Sequence, residues 1–143
     1  MAVVHKSVLI NYSAEQMFAL VDKVEDYPAF LPWCGGVDVR ERAPDRLVAA
    51  IQISYHGVKQ SFTTQNTHEP PNRMQMTLVE GPFSQLDGTW QFKSLRADAC
   101  KIDFELHYEF SSKILEKLIG PVFSKIADSF VDAFCKRAEV VYG

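Results

Sequence analysis

Two hydrophobic periods meet just after residue 110, and that junction constrains the fold more than any other feature of the chain. From Cys100 to Phe110 the residues Cys100, Ile102, Phe104, Leu106, Tyr108 and Phe110 recur at every second position. A period of two sets them on one face of a β-strand. From Ser112 the period becomes helical: Leu115, Leu118, Ile119, Val122, Phe123, Ile126, Phe130, Val131 and Phe134 share a face, which Ala127, Ala138 and Val141 extend. The chain is therefore expected to end in a long amphipathic helix that needs an apolar surface to cover. Gly120-Pro121 should kink or restart it, because Pro121 has no backbone donor and its ring clashes with the preceding turn.

Upstream, the same alternating logic repeats. Val3 to Ile10 is β-branched and reads as a first strand. Ser13-Ala-Glu-Gln16 fits a capping box, and the helix it opens places Met17, Phe18, Leu20, Val21 and Val24 near one face. Pro28 interrupts Glu25 to Pro32, which suits a short second helix or turn, closed by Gly35-Gly36. Strand-like segments then follow at Val37–Glu41, Arg46–Tyr55, Val58–Asn66, Arg73–Glu80 and Ser84–Leu95. They are divided by His56-Gly57, Pro70-Pro71-Asn72 and Gly81-Pro82. Such short connections cannot make parallel crossovers, so these strands and Cys100–Phe110 form an antiparallel meander. The expected fold is α+β: a seven-stranded curved antiparallel sheet wrapped around the long C-terminal helix, with two short helices after the first strand, as one domain over residues 1–143. A curved sheet gripping a helix leaves a gap between them, and a ligand would sit there.

Composition limits the function classes. Of 143 residues 47% are apolar, with ten Phe, five Tyr and two Trp, enough to fill one core without staples. No apolar run approaches the ~18–20 residues of a membrane span. Met1 to Leu9 is interrupted by His5, Lys6 and Ser7 and lacks the apolar stretch of a signal peptide. A soluble, cytoplasmic protein is expected. Cys34, Cys100 and Cys135 are odd in number and widely spaced, which suits free thiols. No two of His5, His56, His68 and His107 stand three or four apart, so no helical zinc pair exists and no metal site is expected. A formal net charge of −3 argues against DNA or broad nucleic-acid binding.

Four motifs in order carry a family resemblance: Tyr27-Pro-Ala-Phe-Leu-Pro-Trp-Cys34; Phe62-Thr-Thr-Gln-Asn66; Leu78-Val-Glu-Gly-Pro-Phe83 with Leu86, Gly88, Trp90 and Phe92; and Cys100 to Phe110. From about Val3 to Tyr142 the chain resembles the coenzyme Q-binding and ribosome association toxin branch of the START-like helix-grip proteins, a branch also labelled polyketide cyclase by distant analogy. The resemblance implies a hydrophobic cavity for a lipid. It implies as ligand a polyisoprenoid, ubiquinone-like quinone, held without any cofactor by a carrier or chaperone that supports respiration. Transient membrane contact and a position peripheral to the inner membrane follow from that role. The different implied partner is the large ribosomal subunit, whose association with the small subunit a toxin-like member blocks. A third reading is an aromatic polyketide cyclase.

Candidate contacts follow from motif and parity. Phe30, Leu31 and Trp33 would form a rigid mouth between two prolines, with the Trp33 indole donor at a wet rim. Pro82 and Phe83 would form a lip. Phe62, Met76 and Leu78 would line the sheet side, with Trp90 and Phe92 as core or cavity wall. Phe123, Ile126 and Phe130 would line the helix side, and the helix start near Gly120-Pro121 would serve as a lid. Enzymatic chemistry needs a base inside the cavity. Asp103, Glu105, His107 and Glu109 alternate away from the apolar face, so no catalytic residue is expected. Cys34 has no histidine as sequence neighbour. On the last helix, Lys113, Lys117, Lys125, Lys136 and Arg137 alternate with Glu116, Asp128, Asp132 and Glu139, the pattern of an ordinary solvated face rather than an RNA site.

Overall fold

The computed structural model describes residues 1–143. The elements run β1 (Ala2–Ile10), α1 (Ala14–Asp22), a single 3-10 turn (Val24–Asp26), α2 (Tyr27–Phe30), β2 (Cys34–Ala43), β3 (Arg46–Tyr55), β4 (Val58–Glu69), β5 (Arg73–Glu80), β6 (Phe83–Arg96), β7 (Ala99–Phe110) and α3 (Lys113–Tyr142). All seven strands form one antiparallel sheet in the order β1-β7-β6-β5-β4-β3-β2. The meander accounts for every neighbour except one: β1 is the edge strand beside β7, Val4 opposite Leu106 and Val8 opposite Ile102, and the helical segment after it spans the sheet to reach β2 at the other edge.

Local signals place the element ends. Ser13 accepts from the Gln16 amide at 3.1 Å while its own amide donates to Gln16 Oε1 at 2.8 Å, the reciprocal pair that starts α1. Ser13→Ala is expected to cost about 1 kcal/mol of stability, read as a lower urea midpoint at unchanged slope. His56 and Gly57 both take positive φ, as the tight turn between β3 and β4 requires.

Four sequence expectations are corrected. Gly35-Gly36 does not close the helical segment. Both lie within β2, which begins at Cys34 with a register shift between Cys34 and Gly36. Gly35 is the extra residue at that shift and Gly36 pairs with Gln52, and without side chains neither leaves an alternation to read. Likewise β4 runs three residues past Asn66, because Thr67, His68 and Glu69 keep pairing with β5. Third, α3 is one uninterrupted helix of 30 residues, about 45 Å long, with Pro121 inside it and no restart. Gly120 lacks the Cβ that the Pro121 ring would meet, and Ile119 and Phe123 on either side are buried. Leu118 and Val141 do not belong to the packed face; they are 64% and 47% exposed.

The core lies between the concave face of the sheet and one stripe of α3. Ile119, Phe123, Ile126, Val131, Phe134 and Ala138 are buried there against β6 and β7 residues such as Phe92, Ile102 and Phe104. α1 closes one end, packing Met17, Phe18 and Val21 into the same cluster.

Candidate functional site

Sheet curvature and helix stripe do not meet everywhere. Between them lies a cavity of about 60 Å³ lined by 16 residues, 14 of them hydrophobic. The sheet contributes Ala49 and Ile51 from β3, Phe62, Thr64 and Asn66 from β4, Met76 from β5, Leu86 from β6, and Phe104 and Leu106 from β7. From α3 come Phe123, Ile126, Ala127 and Phe130, while Val24, Tyr27 and Trp33 close the side towards the short helices. Gly88 deepens the floor: a Cβ there would lie 2.7 Å from Met76 Cε and 3.2 Å from Leu106 Cδ1. The Met76 side chain thus packs over Gly88 on the sheet side of the cavity. It is half-buried, and an unbranched thioether adapts readily to the shape of such a gap.

The structure brings together Trp33, Phe62, Met76, Phe123, Ile126 and Phe130 from the expected set. It separates the others. Leu31 is buried and Phe30 half-buried at an outer groove between α2 and the second half of α3, where the Arg137 guanidinium sits 5.1 Å from the Phe30 ring centroid. Trp33 borders both this groove and the cavity, so it is the partition between them. Leu78 packs half-buried on the core rim. Pro82 holds a turn, its carbonyl accepting from the Ser111 amide at 3.0 Å. Phe83 is stacked on Phe110 at 5.0 Å and against Phe123 at 5.0 Å, which plugs that end rather than opening it. Trp90 and Phe92 are fully buried core residues, stacked at 5.8 Å. For Leu78, Trp90 and Phe92 the reason is shared: parity assigns a face, whereas only three-dimensional curvature decides which inward residues touch helix and which touch space.

Ten lining residues lie outside the expected set, most of them apolar, and the informative ones are Thr64, Asn66 and Tyr27. The Tyr27 hydroxyl donates to the Val21 carbonyl at 2.5 Å. Burial above all, then the negative charge of Asp22, holds its phenol protonated well above the usual range. The signal for Thr64 and Asn66 was present, since both share the parity of Phe62. His68 continues that parity: it is buried against the Phe18 ring, with Nε2 3.2 Å from Asp22 Oδ1 but not aligned for a hydrogen bond.

No carboxylate, histidine, lysine, arginine or cysteine lines the cavity. His107 and Glu105 pair with each other on the outer face of β7 at 3.0 Å, as the alternation requires. Burial pushes all three thiols up, Cys100 to about 11 with the charges of Cys135 and Glu15 adding to it. A raised pKa means less thiolate at any given pH. The folded protein is therefore expected to resist alkylation at mildly alkaline pH and to label at all three thiols only after unfolding, which mass spectrometry reads directly. No group of three or more His, Cys, Asp or Glu side chains is placed to hold a metal ion. No helix is long and apolar enough to cross a membrane.

A curved antiparallel sheet gripping one long helix around an apolar cavity defines the START-like helix-grip class. Its solved members include the ZhuI aromatase/cyclase from Streptomyces sp. R1128 (TM-score 0.79, 15% identity, covering 96% of this chain and 93% of that one). A START superfamily protein from Mycobacterium smegmatis is also similar (TM-score 0.78, 21% identity, covering 97% and 98%). At these identities the likeness is one of fold. The chain belongs to the family described as polyketide cyclase / dehydrase and lipid transport, whose profile matches residues 10–135. Among its relatives are the ribosome association toxin RatA of Vibrio cholerae, 44% identical over 98% of this chain and 97% of that protein. The mitochondrial coenzyme Q-binding protein COQ10 homolog B of Xenopus laevis is 28% identical over 96% of this chain and 58% of that protein.

Proposed function

We propose that the protein binds an apolar lipid, a prenylated quinone of the ubiquinone type or a close relative, between sheet and α3, as a non-covalent carrier or chaperone that supports respiration. The observation that carries this reading is the lining itself: apolar at 14 of 16 residues and without an acid or base to do chemistry. The name of the Xenopus relative supports the quinone. Each buried methylene contributes up to ~0.8 kcal/mol, so a few isoprene units outweigh the cost of association without strong headgroup bonds. The cavity of about 60 Å³ is smaller than the ~150 Å³ void that admits benzene. Uptake on this reading needs the walls to part, with Met76 and the Trp33 partition as the movable pieces. Extraction and mass spectrometry of lipid carried by the purified protein test the reading. A co-purifying quinone, or tight uptake of added ubiquinone, is expected; the absence of both overturns it.

The name of the Vibrio relative favours a second reading, a protein that contacts the large ribosomal subunit and blocks subunit association. The mixed charges of α3 do not make a phosphate-binding face, so on this reading the contact would be with ribosomal protein or with RNA shape. Sedimentation profiles of ribosomes at stoichiometric protein decide it: a loss of assembled particles supports the reading, and an unchanged profile removes it.

A further inference from the structure

The inner face of β4 breaks the apolar pattern of the sheet at one place. Thr64 and Asn66 are the two lining residues that are not hydrophobic, and they are only 5% and 6% exposed. They are not two separate polar groups. Thr64 Oγ1 donates to Asn66 Oδ1 at 3.2 Å, which fixes the amide with its nitrogen turned away from Thr64. That nitrogen carries two hydrogens. Its one partner is the thioether of Met74, at 3.8 Å, a weak acceptor. A buried amide normally finds a full-strength acceptor, and one that does not is an exception that needs a reason. A second buried donor, with no partner at all, stands close by in the sheet. Met74 pairs across β5 and β6 with Trp90, whose indole Nε1 is buried without any partner.

We propose that the Asn66 amide, oriented by Thr64, is the hydrogen-bond donor for a carbonyl or ether oxygen on the headgroup of the bound lipid. The claim rests on the lipid-binding reading above and goes further, because it assigns the ligand's polar end to β4 and its tail to the apolar remainder of the cavity. It also states a selectivity. Ligands with an acceptor-bearing ring are preferred over hydrocarbons of equal size, since a hydrocarbon leaves the buried amide no better served than before. Pockets with this composition, mostly apolar with one or two converging polar groups, use the polar group to orient and the apolar wall to bind.

The test uses two probes with the same tail: a benzoquinone bearing two methoxy groups, a methyl and a decyl chain, and decylbenzene, which has no oxygen. Titration calorimetry of the full-length protein is expected to show Asn66→Leu weakening quinone binding by about five- to tenfold, the worth of one net hydrogen bond, with decylbenzene unaffected or tighter. Thr64→Val, which frees the amide to rotate, is expected to weaken the quinone by a smaller factor. Infrared spectra of the quinone bound to the unmodified protein should show a carbonyl stretch lowered relative to hexane solution, and Asn66→Leu should restore it. That band reads the bond in the unmodified protein even if a variant does not fold. Binding of both probes with equal effects of Asn66→Leu on each, or with an unshifted carbonyl band, overturns the assignment and leaves the lipid reading intact. Failure of the unmodified protein to bind either probe overturns both.

Discussion

Phe134→Ala is expected to lower the unfolding free energy by about 3–5 kcal/mol, the range for a large aromatic removed from a packed core. Phe134 is 0% exposed. Its ring meets Tyr27 and Phe30 at 5.3 Å, Trp90 at 5.5 Å and Phe130 at 5.0 Å, all near edge-to-face. These partners come from α2, β6 and α3, so one truncation loosens the joint between the short helices, the sheet and the long helix together. Neighbouring rings are rigid and already paired, so the void cannot collapse, and the cost falls at the upper end. The melting temperature should drop by about 10 °C or more, and urea unfolding should keep its slope while its midpoint falls. The exposed Leu118, five residues or about 1.4 turns before the buried Phe123 on the same helix, is the control. Leu118→Ala is expected to stay within about 0.5 kcal/mol. Equal effects at the two positions would show that α3 is not gripped as described.

That control marks where the sequence misleads. Leu118 fits a helical period as well as Ile119 does, but two adjacent residues on a helix are 100° apart and the sheet covers only one of them. Periodicity gives the existence of a face and is less sharp about its width. Strands are more legible, because a period of two has no such ambiguity. β3 and β5 have the ends that alternation assigns, Arg46–Tyr55 and Arg73–Glu80. The turn residues His56, Gly57 and Gly81 have the positive φ that separates those strands from their neighbours. Where signal was lost, backbone pairing had outlived side-chain pattern, as at Gly36 in β2, which pairs with Gln52.

The site was half legible for a different reason. An apolar set of residues was expected between sheet and helix, and Phe62, Met76, Phe123, Ile126 and Phe130 are there with Trp33. The excess lay at the ends. Trp90 shares the parity of Leu86, whereas Phe83 turns inward only through the register shift between Phe83 and Gln85, and each is wedged between other rings. Ten lining residues lay outside that set, and two of them, Thr64 and Asn66, are polar. Reading for hydrophobic periodicity passes over Thr64 and Asn66, whose position is fixed by alternation from Phe62 and not by their chemistry. A polar residue on an inward parity is therefore the more informative signal, since burial of such a group demands a partner.

The cavity reading makes its sharpest demand at Phe130. Phe130→Glu is expected to weaken binding of a ubiquinone-type lipid by at least about 100-fold, since an unpaired carboxylate in an apolar site costs several kcal/mol. The Phe130 ring lies 6.1 Å from Trp33, 5.7 Å from Trp90 and 5.7 Å from Phe104, and it forms part of the helix wall. No lysine or arginine lines the cavity to pair with the new charge, so the carboxylate must either draw water in or take up a proton. Burial raises a carboxyl pKa, which gives the effect a direction with pH. Binding lost at neutral pH should return in part as the solution is acidified, while the unmodified protein shows no such recovery. Phe130 is half-buried, not sealed, so the fold is expected to survive, and circular dichroism at each pH checks that it does. Lys117→Glu reverses a charge on the exposed face of the same helix and should leave affinity unchanged. Equal binding by all three proteins would mean that the lipid, if bound, sits elsewhere, for the gap between sheet and α3 has no route to accommodate both a charge and a tail.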